Sequence, residues 1–119
     1  MKKFPALVLL SLVSFGASAE TAESEYVVMR NAIIQVMNKQ AGKTQTLSIP
    51  VGKSAKFDKL EIAVRKCMGA NEFRPENFYM FAEVTKSGKK IFSGWMSKNE
   101  PGQNPLQDAD NDLWLTRCE

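Results

Sequence analysis

Residues 78–96 read FYMFAEVTKSGKKIFSGWM and carry the strongest structural signal in the chain. Two runs rich in aromatic and apolar residues, 78–85 and 90–96, flank the polar segment KSGK at 86–89. A tight, glycine-containing turn between two such runs is typical of a β-hairpin. We therefore predict two antiparallel strands here. Gly94, inside the second run, predicts a bulge or a close approach of another part of the chain to the backbone.

Four further segments around this hairpin have the pattern of short strands. Apolar and polar residues alternate along them, and turn residues separate them at roughly ten-residue intervals. The predicted strands cover 32–38, 44–51, 60–67 and 112–118, with loops at 68–77 and 98–111. The pattern predicts an all-β fold, a small antiparallel β-sandwich or barrel of about six strands. In the last strand, alternation places Trp114, Thr116 and Cys118 on one face.

The N-terminus has the pattern of a secretory signal peptide. Two lysines precede an apolar run, 4–15, that is too short for a stable membrane span, and Ala17-Ser18-Ala19 offers a cleavage site. We expect a signal peptide at 1–19, cleavage after Ala19, a periplasmic location and no membrane span in the mature chain. Residues 20–119 would form a single β domain, in which 20–30 is a flexible leader.

The mature chain is expected to be almost neutral. The full chain has 16 basic and 13 acidic residues, and removal of Lys2 and Lys3 leaves 14 basic residues and a net charge of +1. A nucleic-acid-binding protein usually clusters a surplus of lysine and arginine on one face. The basic residues occur here in short pairs, such as Arg65-Lys66. We therefore predict no nucleic-acid partner.

The chain has two cysteines, Cys67 and Cys118. In an oxidising compartment an even number of cysteines indicates a disulfide. If the bond is intramolecular it joins these two residues, and by chain entropy it would stabilise the fold by about 4 kcal/mol. The alternative, a redox-active pair, usually has C-x-x-C spacing, whereas these residues are 51 positions apart. We therefore predict a structural disulfide.

The sequence contains no histidine, which excludes most triad and general-base schemes and the commonest zinc ligand. A pair of carboxylates could still perform acid–base chemistry, as in glycosidases. The candidates are Glu61, Glu72, Glu76 and Glu83. Because Glu61 and Glu83 are expected to face solvent, we predict a protein that is not an enzyme and has no cofactor. A carboxylate hydrolase is the alternative.

Asp108, Asp110 and Asp112 are spaced like the first ligands of an EF-hand calcium loop, and Glu119 falls at the twelfth position. The sixth position is Leu113, where such a loop needs glycine, and neither flank resembles a helix. We therefore predict no metal site. The three aspartates are the candidates if a loop of another kind binds calcium, and otherwise form a hydrophilic turn that discourages pairing at a sheet edge.

Trp95, Met96 and Trp114 are the candidate binding surface. Exposed aromatic side chains on a sheet can form a platform for a sugar or for a protein partner. A tryptophan in a domain of this size is more often half-buried in the core, and with Phe78, Phe81 and Phe92 nearby in the sequence the core is the interpretation that we favour, with the binding surface as the alternative. The polar loop after Met96 would lie beside this surface, and loops on rigid scaffolds often carry function.

Three segments of the chain are distinctive: FDKLEIAVRKC at 57–67, IFSGWM at 91–96 and DLWLTRC at 112–118. With these segments the chain resembles an uncharacterised bacterial secreted family, known as domain of unknown function 2155, over nearly the whole mature chain. Members are typically small, carry signal peptides and have no established activity. The resemblance therefore implies a compartment and a disulfide pattern, and no reaction.

The loop after Met96 departs from the family pattern. Family members are expected to have a small-residue stretch and a His-Pro there, whereas this chain has KNEP at 98–101 and DADN at 108–111. From the sequence we expect a non-enzymatic periplasmic protein that binds a protein or an envelope component. A module that binds glycan or peptidoglycan, and an inhibitor of an envelope hydrolase, are the alternatives.

Overall fold

The structure, a computed structural model, describes residues 26–70 and 77–119. The predicted signal peptide, residues 20–25 of the predicted leader, and two of the candidate carboxylates, Glu72 and Glu76, lie outside the described residues. Within them the chain forms eight β-strands and no helix. The strands are β1 Tyr26–Val28, β2 Asn31–Asn38, β3 Lys43–Pro50, β4 Ser54–Phe57, β5 Leu60–Ala70, β6 Phe78–Lys86, β7 Lys89–Ser97 and β8 Asn111–Cys118.

The strands form two antiparallel sheets. The five-stranded sheet has the order β1-β5-β6-β7, and β4 also pairs with β5. The three-stranded sheet has the order β3-β2-β8. Two separate sheets that share a core are the arrangement of a β-sandwich. The all-β, antiparallel prediction is confirmed.

Residues 26–70 and 77–119 form eight strands, against about six expected from the sequence. The two additional strands, β1 and β4, are three and four residues long and lie along the same edge of β5, opposite β6. Strands this short do not carry enough alternation to be recognised. Because β1 and β6 both pair with its end, β5 continues to Ala70, so the loop predicted from residue 68 begins later.

The hairpin predicted at residues 78–96 is confirmed. β6 and β7 pair from Tyr79–Ser97 to Lys86–Lys89, and only Ser87 and Gly88 lie between them. Both residues have positive φ angles, 51° and 85°, as a type I′ turn requires. That turn matches the right-handed twist of the flanking strands, which explains why so short a segment reverses the chain.

Alternate residues of the strands face the space between the sheets and form the core. The five-stranded sheet contributes Leu60, Ile62, Val64, Met80, Ala82 and Val84, and the three-stranded sheet contributes Ala32, Ile34, Val36, Ile49, Leu113 and Leu115. Each large aliphatic side chain that is fully buried contributes about 1.5–3 kcal/mol. This burial is the main term that holds the two sheets together.

Both cysteines reach the core through a β-bulge. In β5, Val64 pairs with Ala82 and Lys66 with Phe81, so that Arg65 is an extra residue without a partner in the register. The extra residue reverses the alternation. Cys67 therefore faces inwards like Val64, although three positions separate them.

β8 contains a second β-bulge. Leu115 pairs with Ile34 and Arg117 with Ile33, so Thr116 is the extra residue. Cys118 thus lies on the inner face with Leu115. The prediction that Trp114, Thr116 and Cys118 share one face is therefore wrong, because unbroken alternation does not hold across a bulge.

The predicted disulfide between Cys67 and Cys118 is confirmed, with a Cα–Cα distance of 5.7 Å. It joins β5 of one sheet to β8, an edge strand of the other. No helix within the described residues has the length and hydropathy that crossing a membrane would require.

Candidate binding surface

The structure does not bring the three candidate surface residues together. Trp95 lies on the outer face of the five-stranded sheet and is 41% exposed. Met96 is its neighbour in β7, so it points into the core, where it is 5% exposed. Trp114 pairs in register with Gln35 on the outside of the three-stranded sheet. The two tryptophans therefore lie on opposite faces of the sandwich.

Residues 98–110, the loop between β7 and β8, pack against the sandwich. Leu106 is buried in the core, and the Asn104 side-chain amide donates a hydrogen bond of 3.0 Å to the carbonyl oxygen of Trp95. A Cβ atom on Gly94 would lie 2.8 Å from that amide nitrogen. The close approach predicted at Gly94 is confirmed, and the bulge of β7 lies instead at Ile91.

Two of the candidate calcium ligands, Asp108 and Asp110, form salt bridges with Lys86. The Lys86 ammonium lies 2.9 Å from Asp108 Oδ1 and 2.7 Å from Asp110 Oδ2, while Asp112 pairs with Lys39 at 3.4 Å. A calcium ion between Asp108 and Asp110 would have to displace this ammonium. Among residues 26–70 and 77–119, no three acidic, histidine or cysteine side chains converge in a manner that could hold a metal ion.

Lys86, Asp108 and Asp110, which we call the Lys86 cluster, stabilise one another electrostatically. Burial acts to raise the pKa of Asp108, but hydrogen bonds from Lys86 and from the backbone N–H groups of Asp110 and Asn111 outweigh it and hold that pKa below its usual value. The hydrogen bonds to Asp110 and Asp108 raise the pKa of Lys86 in turn. The cluster therefore anchors the loop to the end of β6.

We call the outer face of the five-stranded sheet the outer sheet face. One half of it, the aromatic half, is formed by Tyr26, Tyr79, Phe81 and Trp95. The rings of Phe81 and Trp95 pack edge to face with centroids 5.4 Å apart, and those of Tyr26 and Tyr79 pack in the same way at 5.5 Å. Tyr26 and Trp95 are each 41% exposed. Edge-to-face packing holds a ring in one orientation, so these are ordered aromatic surfaces.

Beside the aromatic half lies an open groove with a volume of about 640 Å³, which we call the polar groove. Its walls carry the Ser54 hydroxyl and the charged side chains of Lys53, Glu61, Arg65, Glu83 and Lys90. Phe81 and Glu83 are two residues apart on the same face of β6, so the aromatic half and the groove are separated by about 7 Å along the strand. The two surfaces are continuous.

Glu83 is the electrostatic centre of the groove. Its Oε1 accepts hydrogen bonds from Arg65 Nη2 at 3.0 Å and Nε at 3.2 Å, and its Oε2 lies 3.5 Å from Lys90 Nζ. The hydrogen bond from Arg65, with the charges of Lys90 and Arg65, outweighs desolvation and lowers the pKa of Glu83. The carboxylate is therefore ionised at neutral pH and unsuited to act as a general acid.

Glu61, the other carboxylate of the groove, accepts a hydrogen bond of 3.1 Å from the Ser54 hydroxyl. The sequence singled out Glu61 and Glu83 individually, and the structure places both on the outer sheet face. Arg65 and Ser54 were not recognised as site residues. Arg65 lies eighteen positions from Glu83, and Ser54 belongs to a strand too short to be predicted.

Positive charge predominates on this face. Lys53, Arg65 and Lys90 line the groove, and Lys66 shares the row of Phe81 and Trp95. Lys56 lies on the same face, opposite Glu61, so five basic side chains stand against two carboxylates, Glu61 and Glu83. In the described part of the chain, no carboxylate forms a salt bridge with Lys53 or Lys66. The sequence pairs Arg65-Lys66 and Lys89-Lys90 did not reveal this clustering, because strand pairing creates it.

Comparison with known families identifies the chain. A family model described as an uncharacterized protein conserved in bacteria (DUF2155) matches residues 32–118. The chain belongs to this family. The resemblance seen in the sequence is thus confirmed. The DUF2155 match contains Trp95 and the whole polar groove, whereas β1, with Tyr26, precedes it. No curated protein and no solved structure matches the chain.

Proposed function

We propose that the protein is a non-enzymatic binding protein of the bacterial envelope and that the outer sheet face is its contact surface. The observation that supports this most directly is Trp95, which is exposed although Phe81 holds its ring in place. Exposed, ordered aromatic side chains next to polar groups are typical of recognition surfaces. The adjoining polar groove offers hydrogen-bond donors and acceptors beside them.

We propose further that the protein is exported by a signal peptide, residues 1–19, and acts in the periplasm. The disulfide supports this location, because such bonds persist mainly in oxidising compartments. Membership of a bacterial family is consistent with it. N-terminal sequencing of the protein from a periplasmic fraction should give Glu20 as the first residue. A chain that retains Met1 and stays in the cytoplasmic fraction would contradict the proposal.

The proposal of a non-enzymatic role is supported by the chemistry of the groove. The chain has no histidine, and the ionised Glu83 is held by Arg65 and Lys90. The carboxylate hydrolase is the competing function. It requires turnover of a glycoside or ester that disappears in Glu61→Gln or Glu83→Gln, and such a result would replace the binding proposal by catalysis.

Affinity capture from an oxidised envelope extract tests the contact surface. The exported protein should retain an envelope component that Trp95→Ala loses. Trp114→Ala is the matched control, because it removes the same side chain from the opposite face of the sandwich. Equal capture by the wild-type protein and Trp95→Ala would refute the assignment of the outer sheet face.

A further inference from the structure

We infer that the outer sheet face binds an acidic glycan strand, with one sugar ring stacked on Trp95 and a carboxylate-bearing sugar over the polar groove. This inference rests on the proposed function and names the ligand class of the same surface. Three features carry it: the orientation of the aromatic ring, the mixed polarity of the groove and the surplus of positive charge.

The aromatic ring is a preformed platform. Trp95 packs edge to face on Phe81 at 5.4 Å, and its backbone carbonyl is held by Asn104 at 3.0 Å. The C–H face of a pyranose packs on an aromatic ring and removes apolar area of both from water. Because the ring and the strand beneath it are already held, little conformational entropy is lost when a sugar binds.

The polar groove has the chemistry that sugar hydroxyls need. The carboxylates of Glu61 and Glu83 accept hydrogen bonds, whereas Arg65, Lys53 and Lys90 donate them. A hydroxyl both donates and accepts, so a wall that holds both kinds of group satisfies it. The volume of about 640 Å³ lies within the range of small-ligand sites, which is roughly 300–1,000 Å³.

The charge of the face selects an acidic ligand. Five basic side chains of the outer sheet face stand against two carboxylates: Lys53, Lys56, Arg65, Lys66 and Lys90. A positive field attracts an anionic strand and increases its rate of association. A strand that carries a carboxylate on only some of its sugars matches this surplus, because its acidic sugar meets Lys53, Arg65 and Lys90 in the polar groove while a neutral sugar stacks on Trp95.

An acidic peptide fits this surface less well. Extended peptides are commonly bound by addition to a free strand edge, through main-chain hydrogen bonds. At the site, β5 and β6 are interior strands of the sheet, so their backbone groups are already paired on both sides. β7, which carries Trp95, is an edge strand, but the Asn104 side chain already donates a hydrogen bond of 3.0 Å to the carbonyl oxygen of Trp95. A sugar needs only the side chains of the face. Single-stranded nucleic acid would also stack on Trp95. However, it carries a phosphate at every nucleotide, and the carboxylates of Glu61 and Glu83 would repel these phosphates.

Titration calorimetry with defined saccharides tests the inference. The probe is a hexasaccharide that alternates N-acetylglucosamine with glucuronate, and its carboxyl-reduced form is the neutral match. We expect the exported, disulfide-bonded protein to bind the acidic form at least about tenfold more tightly than the reduced form, with a Kd that rises with salt. Trp95→Ala should weaken binding of both forms about tenfold, and Trp114→Ala neither. Lys53→Gln combined with Lys66→Gln should weaken only the acidic form.

Each alternative outcome refutes one part of the inference: the charge selection, the ligand class or the contact surface. Equal affinity for the two saccharides refutes charge selection, and it does so with the wild-type protein alone. Tighter binding of polyglutamate, of an oligothymidylate or of vesicles with phosphorylated headgroups would refute the glycan as occupant. If neither saccharide binds, but Trp95→Ala still loses its partner in the capture experiment, the inference of a glycan ligand is refuted and the proposed function is supported. If Trp95→Ala changes neither saccharide binding nor capture, both the glycan inference and the proposed function of the outer sheet face are refuted.

Discussion

Cys67 and Cys118 lie on different sheets with their Cα atoms 5.7 Å apart, and each follows the extra residue of a β-bulge by two positions. In β5 the extra residue is Arg65, and in β8 it is Thr116. Without these bulges, alternation would turn each thiol away from the core. The bulges therefore bring the two sulfur atoms together, and the disulfide then connects the two sheets.

Removal of both cysteines by Cys67→Ala and Cys118→Ala is expected to lower the free energy of unfolding by about 4 kcal/mol, because the unfolded chain loses a crosslink between distant residues. Denaturant unfolding of the oxidised proteins measures the difference. In the presence of a reductant, the wild-type protein should lose most of its advantage. If the oxidised wild-type protein and the double variant have the same midpoint, the disulfide does not stabilise the fold.

Deletion of Thr116 should leave the disulfide intact although it removes the bulge. Without the extra residue, Leu115, Arg117 and Cys118 pair in unbroken register with Ile34, Ile33 and Ala32, so the Cys118 side chain stays on the inner face. Deletion of both Thr116 and Arg117 should instead turn Cys118 to the outer face, because it then directly follows the inward-facing Leu115. Thiol titration of the exported variants should find no free thiol after the single deletion and two per chain after the double deletion. A disulfide in the double-deletion variant would show that the face of Cys118 does not control the bond.

Asp108→Asn should destabilise the protein at neutral pH by removing a charge partner of Lys86. Because the pKa of Asp108 is lowered in the folded state, the contribution of its carboxylate is present above the ordinary aspartate pKa and is lost as the pH falls through the folded value. Lys86 stays charged over this range, since its pKa is raised.

The measurement for this variant is the free energy of unfolding as a function of pH. The gap between the wild-type protein and Asp108→Asn should be full near pH 7 and should close in acid. Asp112→Asn is the control, because its more exposed pair with Lys39 at 3.4 Å is expected to contribute about 0–1 kcal/mol. A gap for Asp108→Asn that does not change with pH would contradict the electrostatic explanation.

Gly69→Ala should be more destabilising than Gly94→Ala. A Cβ atom at Gly69 would lie 2.6 Å from Met29 Cε and 3.2 Å from Phe78 Cε1, and overpacking of this kind costs about 1–3 kcal/mol. At Gly94 the Cβ would be closer than ordinary van der Waals contact only to the side-chain amide of Asn104, so the loss is one hydrogen bond, about 0.5–1.5 kcal/mol.

A double-mutant cycle separates the two glycine effects. Once Asn104→Ala has removed the amide, Gly94→Ala should cost almost nothing further, whereas Gly69→Ala should cost the same in either background. Thermal unfolding of the four proteins in each cycle gives the values. Additive effects of Gly94→Ala and Asn104→Ala would refute the explanation.

The predictions from sequence succeeded where alternation is long. The hairpin of β6 and β7, with Ser87-Gly88 at its turn, follows from residues that are neighbours in the chain. Strands β1 and β4 were missed because three or four residues do not establish a period. The faces of Cys67 and Cys118 also depend on bulges that composition does not mark.

The sequence by itself determined the fold class and the disulfide partners, because these depend on periodicity and on a count of two cysteines. Only the tertiary structure decided that Trp114 lies on the opposite face from Trp95 and that Arg65 meets Glu83 beside it. The register of β5 against β6 brings these side chains together. Register arises from the packing of whole sheets, and no local segment of the chain encodes it.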